Sequence, residues 1–382
     1  PSLVSTGPCK ENVCLGDHVD LQKLPVPFLH TGDGGRYIGT WHIVVTRDPD
    51  TDWVNWGMYR LMLHDKKTMG ILLSPTQHIG YHYAKYEARA QPMEFAVAVG
   101  MDPVGPLAAA SFYAAGVNEV DLAGGMRGEP VELVKCETVD LAVPATSEIV
   151  IEGEIPPFER REEGPFGEYT GYMAGERAPR PVCRVKAITH RNDPILPVSC
   201  MGVPVDDYAA LRPLHAAEIL DDLRTRGFPV KMVNMPVEAP LLCMVSTKVP
   251  YAGYSRHLAA AVWGSPTAGR GAHFLVVVDE DVDATNTDEV LWVLSTRCHP
   301  DRGIFKMPGT SGSPLLPFLN LEERRHQVAA HVLFDCTWPK DWPKEAIPVK
   351  ASFDVMWPKD IQEKVLSYWK DYGYKEGANL LV

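Results

Sequence analysis

The sequence predicts a two-domain protein that combines the α+β and α/β classes. Residues 1–205 are dominated by short apolar stretches separated by Gly, Pro and Asp, the pattern of a β-rich domain. Residues 206–227 have the apolar spacing of a long helix, which we interpret as a linker. Strand-like and helix-like segments alternate over 228–345, as in an α/β domain, and a helical arm is predicted over 346–382.

Strands account for most of the first domain. Several of its apolar stretches alternate with polar residues, which is typical of strands with one wet face. Strands this short and this frequent favour a barrel or a sandwich. A helix is predicted between them at 82–91, and the strands are predicted at 41–48, 60–65, 69–74, 94–100, 131–137 and 148–155.

The second half begins with the predicted linker helix, in which Pro213 lies early and Gly227 lies just past the end. Strands are then predicted at 240–249 and 273–282, and helices at 254–264 and 287–298. A last amphipathic helix is predicted over 359–372. It follows a Trp- and Pro-rich stretch that packs poorly alone, so we expect this arm to lie on a neighbouring subunit.

Composition excludes several classes of function. The net charge of −12 argues against a nucleic-acid surface, and the absence of a run of eighteen apolar residues argues against a membrane span. None of the eight cysteines has the two-residue spacing of a metal knuckle, so reduced thiols in a cytoplasmic protein are expected. The chain starts PSLVSTGPCKENV, without a signal peptide or an initiator Met, which favours a processed or truncated N-terminus.

The sharpest local motif places Glu163 and Glu168 on either side of a Gly-Pro-Phe-Gly turn. Proline and glycine restrict such a turn, so it can hold two acids at a set separation. Repulsion or apolar burial would raise the pKa of one acid and make it a proton donor near neutral pH. The alternative is a surface turn whose acids are solvated.

Three other segments contain candidate ligands. The stretch 52–60 brings Asn55, a glycine and Arg60 together, and Arg60 could bind a carboxylate or orient a catalytic Glu. His78 follows a predicted strand, and Glu119 precedes a small-residue turn at 123–125. Each has an ordinary structural interpretation as well: a surface Arg at a strand end, a satisfied His, or a solvated acid.

Taken together and in order, these segments resemble the UbiD family of reversible decarboxylases. The resemblance rests on residues 55–60 (NWGMYR), Gln77-His78, Glu119 before Ala123-Gly124, and 163–172 (EGPFGEYTGY). It extends through 134–138, 143–153 and 295–300, and so covers nearly the whole chain. Members usually carry an N-terminal α/β region before the flavin-binding barrel, and this chain begins near the end of that region.

The resemblance implies a split β-barrel that binds prenylated FMN, a long helix and a C-terminal α/β domain. It implies Mn²⁺ held by Asn55, His78 and Glu119, a donor set that suits this ion, with K⁺ nearby. Backbone groups of Gly57, Met58 and Tyr59 would lie along the flavin, and Gln77 would face flavin and substrate. Arg60, Glu163 and Glu168 would form a Glu-Arg-Glu network with Glu168 as the proton donor.

The implied reaction is reversible, non-oxidative loss of CO₂ from an aromatic or α,β-unsaturated acid through a covalent prenylated-FMN adduct. Ser74, Gln77 and Tyr169 would line the substrate pocket, and Tyr169 favours a hydroxybenzoate such as protocatechuate. A flavin prenyltransferase would supply the cofactor to a homo-oligomer, either a dimer or a hexamer. The alternatives are an FMN-dependent oxidoreductase on a split barrel and a non-catalytic subunit of a decarboxylase complex.

Overall fold

The computed structural model describes residues 1–174, 176–265 and 268–375. The chain divides into two compact units. Unit 1 contains Pro1–His215, Val237–Pro240 and Gly309–Ala330, and unit 2 contains Ala216–Pro236, Leu241–Pro308 and His331–Val382. The division falls inside the helix that follows residue 210, so the sequence boundaries at 206 and 228 stay predictions.

Unit 1 is built on a curled half-barrel sheet. Its helices are α1 (His78–Ala88), α2 (Val104–Ala109) and α3 (Glu119–Arg127). Its strands before residue 205 are β1 (Ser2–Val4), β2 (Asn12–Leu15), β3 (Tyr37–Gly39), β4 (His42–Arg47), β5 (Val54–Gly57), β6 (Leu61–Leu63), β7 (Thr68–Ile71), β8 (Met93–Val99), β9 (Glu132–Lys135), β10 (Ala142–Pro144), β11 (Ile149–Ile155), β12 (Arg160–Glu163), β13 (Phe166–Gly167), β14 (Met173–Ala174) and β15 (Ala178–His190).

Strand order explains how distant segments meet in unit 1. The main sheet runs β3-β6-β7-β15-β11-β8-β4-β5, and β2 and β12 also pair with β15. Both faces of its centre are covered, because successive side chains point to opposite faces. On β8, Val97 and Val99 pack into one apolar cluster while Ala96 and Ala98 pack into another. This double burial makes the central strands a rigid support for the segments at their ends.

Two differences from the sequence prediction concern this unit. Helix α1 begins at His78, four residues before the predicted start at 82, and Gly124-Gly125 lie inside helix α3 rather than in a turn. The longest strand, β15, was not predicted. It contains Pro179 and Pro181, residues that argue against a central strand, but there it pairs with the short β12.

Unit 2 contains the predicted alternation of strands and helices. Its sheet has the order β16-β17-β18-β20-β19, and β17, β18 and β20 run parallel. Helix α8 (Leu321–His326) belongs to unit 1. The other helices and strands after residue 205 are α4 (Leu211–Thr225), β16 (Val230–Asn234), β17 (Leu242–Thr247), α5 (Tyr254–Trp263), α6 (Ala268–Gly271), β18 (Phe274–Asp279), α7 (Thr287–Thr296), β19 (Ile304–Ser311), β20 (Val328–Cys336), α9 (Phe353–Met356) and α10 (Lys359–Ser367).

The C-terminal arm is only partly helical. Helix α10 ends at Ser367, not at the predicted residue 372, and residues 376–382 of the predicted arm lie outside the described residues. Its docking on another subunit stays a prediction. Across the helices that the structure describes, none combines the length and the apolarity needed to cross a bilayer.

Candidate functional site

The predicted site residues converge within unit 1, in two clusters. Strand β5 carries Asn55 near its start, and the chain leaving this strand reaches Arg60 five positions later. Helices α1 and α3 begin at His78 and Glu119. Asn55 meets the two helix starts, and Arg60 meets the turn that bears Glu163 and Glu168.

The first cluster consists of Asn55, His78 and Glu119. The His78 Nδ1 atom lies 3.2 Å from Asn55 Oδ1 and 3.6 Å from Glu119 Oε1. Asn55 and Glu119 are buried, while the His78 side chain keeps some access to solvent. Neighbouring ligands of an octahedral ion with bonds of about 2.1 Å lie about 3 Å apart, so the spacing of these atoms fits one shared cation.

Main-chain contacts hold this cluster in place. The backbone N–H of Trp56 donates to Glu119 Oε2 at 2.8 Å, and Val54 N–H donates to the side chain of Asn118 at 3.1 Å. These bonds tie the start of α3 to strand β5. One carboxylate oxygen of Glu119 therefore accepts a backbone hydrogen bond, and the other lies near His78.

The donor set fits a hard divalent ion with an anionic partner. An amide oxygen, a carboxylate oxygen and an imidazole suit Mn²⁺. Two helix N-termini meet at the cluster, and their partial positive charge favours a phosphate group there. Among the described residues, no group of three or more His, Cys, Asp or Glu side chains could hold a metal, so the Asn55 amide is essential to this candidate site.

The second cluster is a buried Glu-Arg-Glu network. Arg60 binds Glu163 with two parallel hydrogen bonds, from Nε and Nη2, both 2.9 Å long. Its Nη1 donates to Glu168 Oε1 at 2.8 Å and to the carbonyl of Ala174 at 3.3 Å. Such two-bond pairing fixes the orientation of the guanidinium and also neutralises charge. Glu163 therefore positions the guanidinium that donates to Glu168.

Burial sets the protonation chemistry of this network. Removal from water raises the pKa of Glu168, although Arg60 partly offsets this effect and Glu163 adds to it. The two carboxylates raise the pKa of Arg60 against its own desolvation, so the guanidinium stays charged. Glu168 is therefore the acid that most readily takes up a proton here.

Tyr37 completes the network, and it was not among the predicted site residues. Its hydroxyl donates to Glu163 Oε1 at 2.9 Å, and burial together with Glu163 raises the pKa of this phenol. Glu163 thus accepts three hydrogen bonds, two of them from the Arg60 guanidinium. The Tyr37 ring also packs against Phe166, with ring centroids 4.2 Å apart, which anchors the turn between the two acids.

The backbone of the acid-bearing turn is held by the loop 30–35. Asp33, whose side chain is buried, accepts a hydrogen bond from Gly167 N–H at 3.0 Å, and Gly34 N–H donates to the Pro165 carbonyl at 2.8 Å. Gly164 has a φ of +85°, and a Cβ atom there would lie 3.0 Å from Arg60 Nη2. The turn can therefore approach the guanidinium closely only with glycine at this position.

The other predicted contacts have mixed surroundings. The Tyr59 side chain is buried over Gly57, its hydroxyl accepts from Asn55 Nδ2 at 3.3 Å, and its carbonyl lies 3.0 Å from His42 Nε2. Gln77 occupies the N-cap of α1 and accepts from Ser74 N–H at 3.0 Å. Contacts of Gly57, Met58, Tyr59 and Gln77 with a flavin remain predictions.

Two residues predicted to line the substrate pocket have other contacts in unit 1. The Ser74 hydroxyl lies 2.7 Å from the Gln327 side-chain oxygen. Burial and the nearby Glu168 raise the pKa of Tyr169 to about 12, although the Arg212 guanidinium opposes this rise. Tyr169 is therefore a neutral phenol beside the acid.

Comparisons with known proteins agree with this geometry. The 3-octaprenyl-4-hydroxybenzoate carboxy-lyase Rift-related domain matches residues 2–204, and the C-terminal domain of the same family matches residues 210–336. Pyrrole-2-carboxylic acid decarboxylase of Pseudomonas aeruginosa is 36% identical over 98% of this chain and 77% of its own length. Ferulic acid decarboxylase 1 of Saccharomyces cerevisiae is 32% identical over 97% of this chain and 76% of its own length.

Solved structures show the same likeness. Vanillic acid decarboxylase of Sedimentibacter hydroxybenzoicus in its closed form has a TM-score of 0.88 and 31% identity, over 98% of this chain and 79% of that one. The UbiD-class enzyme HmfF of Pelotomaculum thermopropionicum, solved with FMN, has a TM-score of 0.79 and 33% identity, over 96% and 80% of the two chains. The resemblance in the sequence is confirmed, and the chain belongs to the UbiD family of decarboxylases.

Proposed function

We propose that this protein catalyses reversible, non-oxidative decarboxylation of an aromatic or α,β-unsaturated carboxylic acid with prenylated FMN, Mn²⁺ and K⁺. The observation that carries the proposal is the buried network in which Glu168 and Glu163 share Arg60. This network presents one acid that readily takes up a proton and a fixed cation that orients it. Flavin chemistry is supported by the structural neighbours solved with FMN and with prenylated FMN.

The metal cluster would hold the cofactor through its phosphate. Asn55, His78 and Glu119 would bind Mn²⁺, and the N-terminal ends of α1 and α3 would favour the phosphate anion. Backbone groups of residues 57–59 and the side chain of Gln77 would flank the flavin. When bound, the prenylated flavin supplies the electron sink that an sp² carbon lacks when it loses CO₂. The residues that bind K⁺ are not identified by this cluster.

Glu168 would deliver the proton that replaces CO₂ on the substrate carbon. Burial favours the protonated form of Glu168, because removal from water raises its pKa. Arg60 donates a hydrogen bond to one oxygen of this carboxyl group, so the proton would reside on the other oxygen. Glu163 and Tyr37 are positioning residues, because Glu163 holds the Arg60 guanidinium that binds Glu168, and Tyr37 acts through Glu163. The charge of Glu163 also raises the pKa of Glu168.

Substrate type is inferred from the relatives and from one side chain. The curated relatives are named for pyrrole-2-carboxylic, ferulic and phenolic acids, which supports a planar conjugated acid. Tyr169 beside Glu168 favours a ring with a hydroxyl group, such as a hydroxybenzoate. A separate flavin prenyltransferase, a cytoplasmic location and a homo-oligomer complete the proposal. An FMN-dependent oxidoreductase is the alternative, and steady oxidation of NAD(P)H by the purified protein would favour it.

The Glu168→Gln variant tests the proposal. The protein would be produced together with a flavin prenyltransferase, and its flavin spectrum and metal content would be compared with wild type. We expect the variant to keep both and to lose CO₂ release from a panel of aromatic acids. Glu162→Gln is the matched control, because Glu162 is an exposed acid on β12 outside the network, and it should retain activity. Wild-type turnover by Glu168→Gln with bound cofactor would refute the assignment.

A further inference from the structure

Arg212 is a largely enclosed residue whose guanidinium has no counter-ion among the described side chains. Arg212 is 5% exposed, yet no hydrogen bond or ion pair to its guanidinium is found within the described residues. Two other enclosed arginines are paired with acids. Arg60 binds two glutamates, and Arg297, whose side chain is also 5% exposed, pairs with Asp279 and Asp281. An unpaired buried charge is costly, so such a residue indicates a partner that the protein chain does not supply.

The position of Arg212 relates this cation to the proposed reaction. Arg212 lies in the part of α4 that belongs to unit 1, and its guanidinium carbon is 5.5 Å from the centroid of the Tyr169 ring. Tyr169 follows Glu168 directly, and both Arg212 and Glu168 act on its hydroxyl electrostatically. Glu168 itself is engaged by Arg60, not by Arg212. The unpaired cation therefore lies beside the proposed proton donor without neutralising it.

We propose that Arg212 binds a second anionic oxygen group of the substrate, separate from the carboxylate that is lost. This inference rests on the proposed decarboxylase function and names the substrate class: a conjugated acid with a further carboxylate or phenolate. A planar guanidinium suits either group. The aromatic face of Tyr169 would hold the guanidinium plane, because cations favour the face of such rings.

The reacting carboxylate is the less suitable partner for Arg212. As the carbon–carbon bond breaks, its electron pair stays on the substrate carbon and CO₂ departs as a neutral molecule, so the carboxylate loses its negative charge. A cation held on that carboxylate would therefore stabilise the ground state more than the transition state. An anion that persists through the reaction carries no such penalty. Arg212 bound to a persistent anion would lower KM and orient the ring without raising the barrier.

Ligand binding tests the inference without turnover. The protein would be loaded with unmodified FMN and Mn²⁺, and the dissociation constants of benzoate, 4-hydroxybenzoate and benzene-1,3- and 1,4-dicarboxylate would be measured by calorimetry. We expect at least one ligand with the second anionic group to bind about 10- to 100-fold more tightly than benzoate. Arg212→Met should abolish this preference, and Arg212→Lys should restore part of it. Comparing dicarboxylate with hydroxybenzoate identifies which group is recognised.

The matched control is Arg226→Met. Arg226 follows the same helix and also lies over an aromatic ring, 6.0 Å from the Phe228 centroid, but it is exposed and paired with Asp222. This variant should keep the ligand preference. Thermal unfolding gives a second readout, because a structural arginine would be needed for stability, whereas loss of an unpaired buried charge should leave the melting temperature unchanged or raised.

The outcomes separate the inference from the proposed function. An equal preference for dicarboxylates in wild type and Arg212→Met, or no preference in wild type, would overturn the role of Arg212. Such a result would leave decarboxylation of simple acids possible. Conversely, an Arg212-dependent preference in a protein that releases no CO₂ from any acid when it carries prenylated flavin would support the binding site and refute the function.

Discussion

Replacing Tyr37 with Phe tests whether the Glu-Arg-Glu network depends on its phenolic donor. The change deletes the hydrogen bond to Glu163 and a longer one, 3.3 Å, to the Pro165 carbonyl, and it leaves the ring packed against Phe166. A hydrogen bond to a charged partner contributes about 1.5–3 kcal/mol. Glu163 keeps two donors from Arg60, and the Pro165 carbonyl keeps Gly34 N–H, so neither acceptor is left unpaired. We therefore expect a loss of unfolding free energy at the low end of this range, about 1.5 kcal/mol. For a chain of 382 residues this corresponds to roughly 2 °C in melting temperature.

The same change should alter the pH dependence of turnover. Without the Tyr37 donor, the negative charge of Glu163 is less compensated. The pKa of Glu168, which burial already raises, should therefore be higher in the variant than in wild type. Protonated Glu168 would then persist to higher pH, and the alkaline limb of the kcat profile should move upward. The measurement is CO₂ release at a series of pH values, with flavin and metal content verified for each variant.

Tyr83→Phe is the matched control for this experiment. Tyr83 is also buried and donates to a carboxylate and a carbonyl, Glu87 Oε1 at 3.0 Å and Pro156 O at 2.9 Å. Glu87 likewise keeps other donors, from Phe158 N–H and Arg160. The Tyr83 hydroxyl also accepts from Arg160 Nη1 at 2.9 Å, so Tyr83→Phe should cost at least as much stability as Tyr37→Phe. Only Tyr37→Phe should shift the pH profile. Identical pH profiles for the two variants would refute the positioning role of Tyr37.

Three further predictions follow from burial and charge. Because burial raises the pKa of Glu168, the folded state holds the proton of this residue more tightly than the unfolded state does. The free energy of unfolding therefore falls as pH rises above about 4.5. Glu168→Gln should gain stability relative to wild type between about pH 5 and pH 8 in urea titrations. Burial lowers the pKa of His42 from 6.5 to about 4, so the stability that neutral His42 contributes is complete above pH 6.5 and is lost towards pH 4. The loss amounts to about 3 kcal/mol, and it should be absent in His42→Gln. An unchanged dependence of unfolding free energy on pH in this variant would contradict the prediction. Asn55→Ala should reduce Mn²⁺ affinity by more than the roughly 10- to 100-fold typical of second-shell changes, and retained Mn²⁺ in metal analysis would exclude Asn55 as a ligand.

Local spacing predicted the parts of the site that lie close together in sequence. The turn between Glu163 and Glu168 was recognisable because proline and glycine restrict the backbone there, and the structure brings both acids to Arg60. The strand positions at 42–47 and 149–155 were recognisable from apolar runs bounded by turns. Such signals lie within one element, so a single sequence is enough to read them.

Contacts between distant segments could not be predicted in this way. Tyr37 is 126 positions from Glu163, and Asp33 is 134 positions from Gly167, so nothing in the spacing of either segment indicates the other. Strand β15 was missed because its prolines contradict strand propensity, and pairing with β12 and β7 overrides that preference. The UbiD resemblance predicted the metal ligands. It did not predict that Arg212 has no counter-ion in the described part of the chain.

The position of Asn55 and Arg60 on one short span has a mechanical consequence. Strand β5 pairs with β4, with Asn55 opposite Thr46 and Gly57 opposite Val44. A slip of one residue in this pairing would turn every side chain of β5 to the opposite face, which would remove Asn55 from its helix starts and displace the chain that leads to Arg60. In the hairpin turn, the exposed residues Thr51 and Asp52 should therefore tolerate substitutions, whereas single-residue insertions or deletions should not be tolerated. The distance between the side chains of Asn55 and Arg60 therefore depends on the register of this single hairpin.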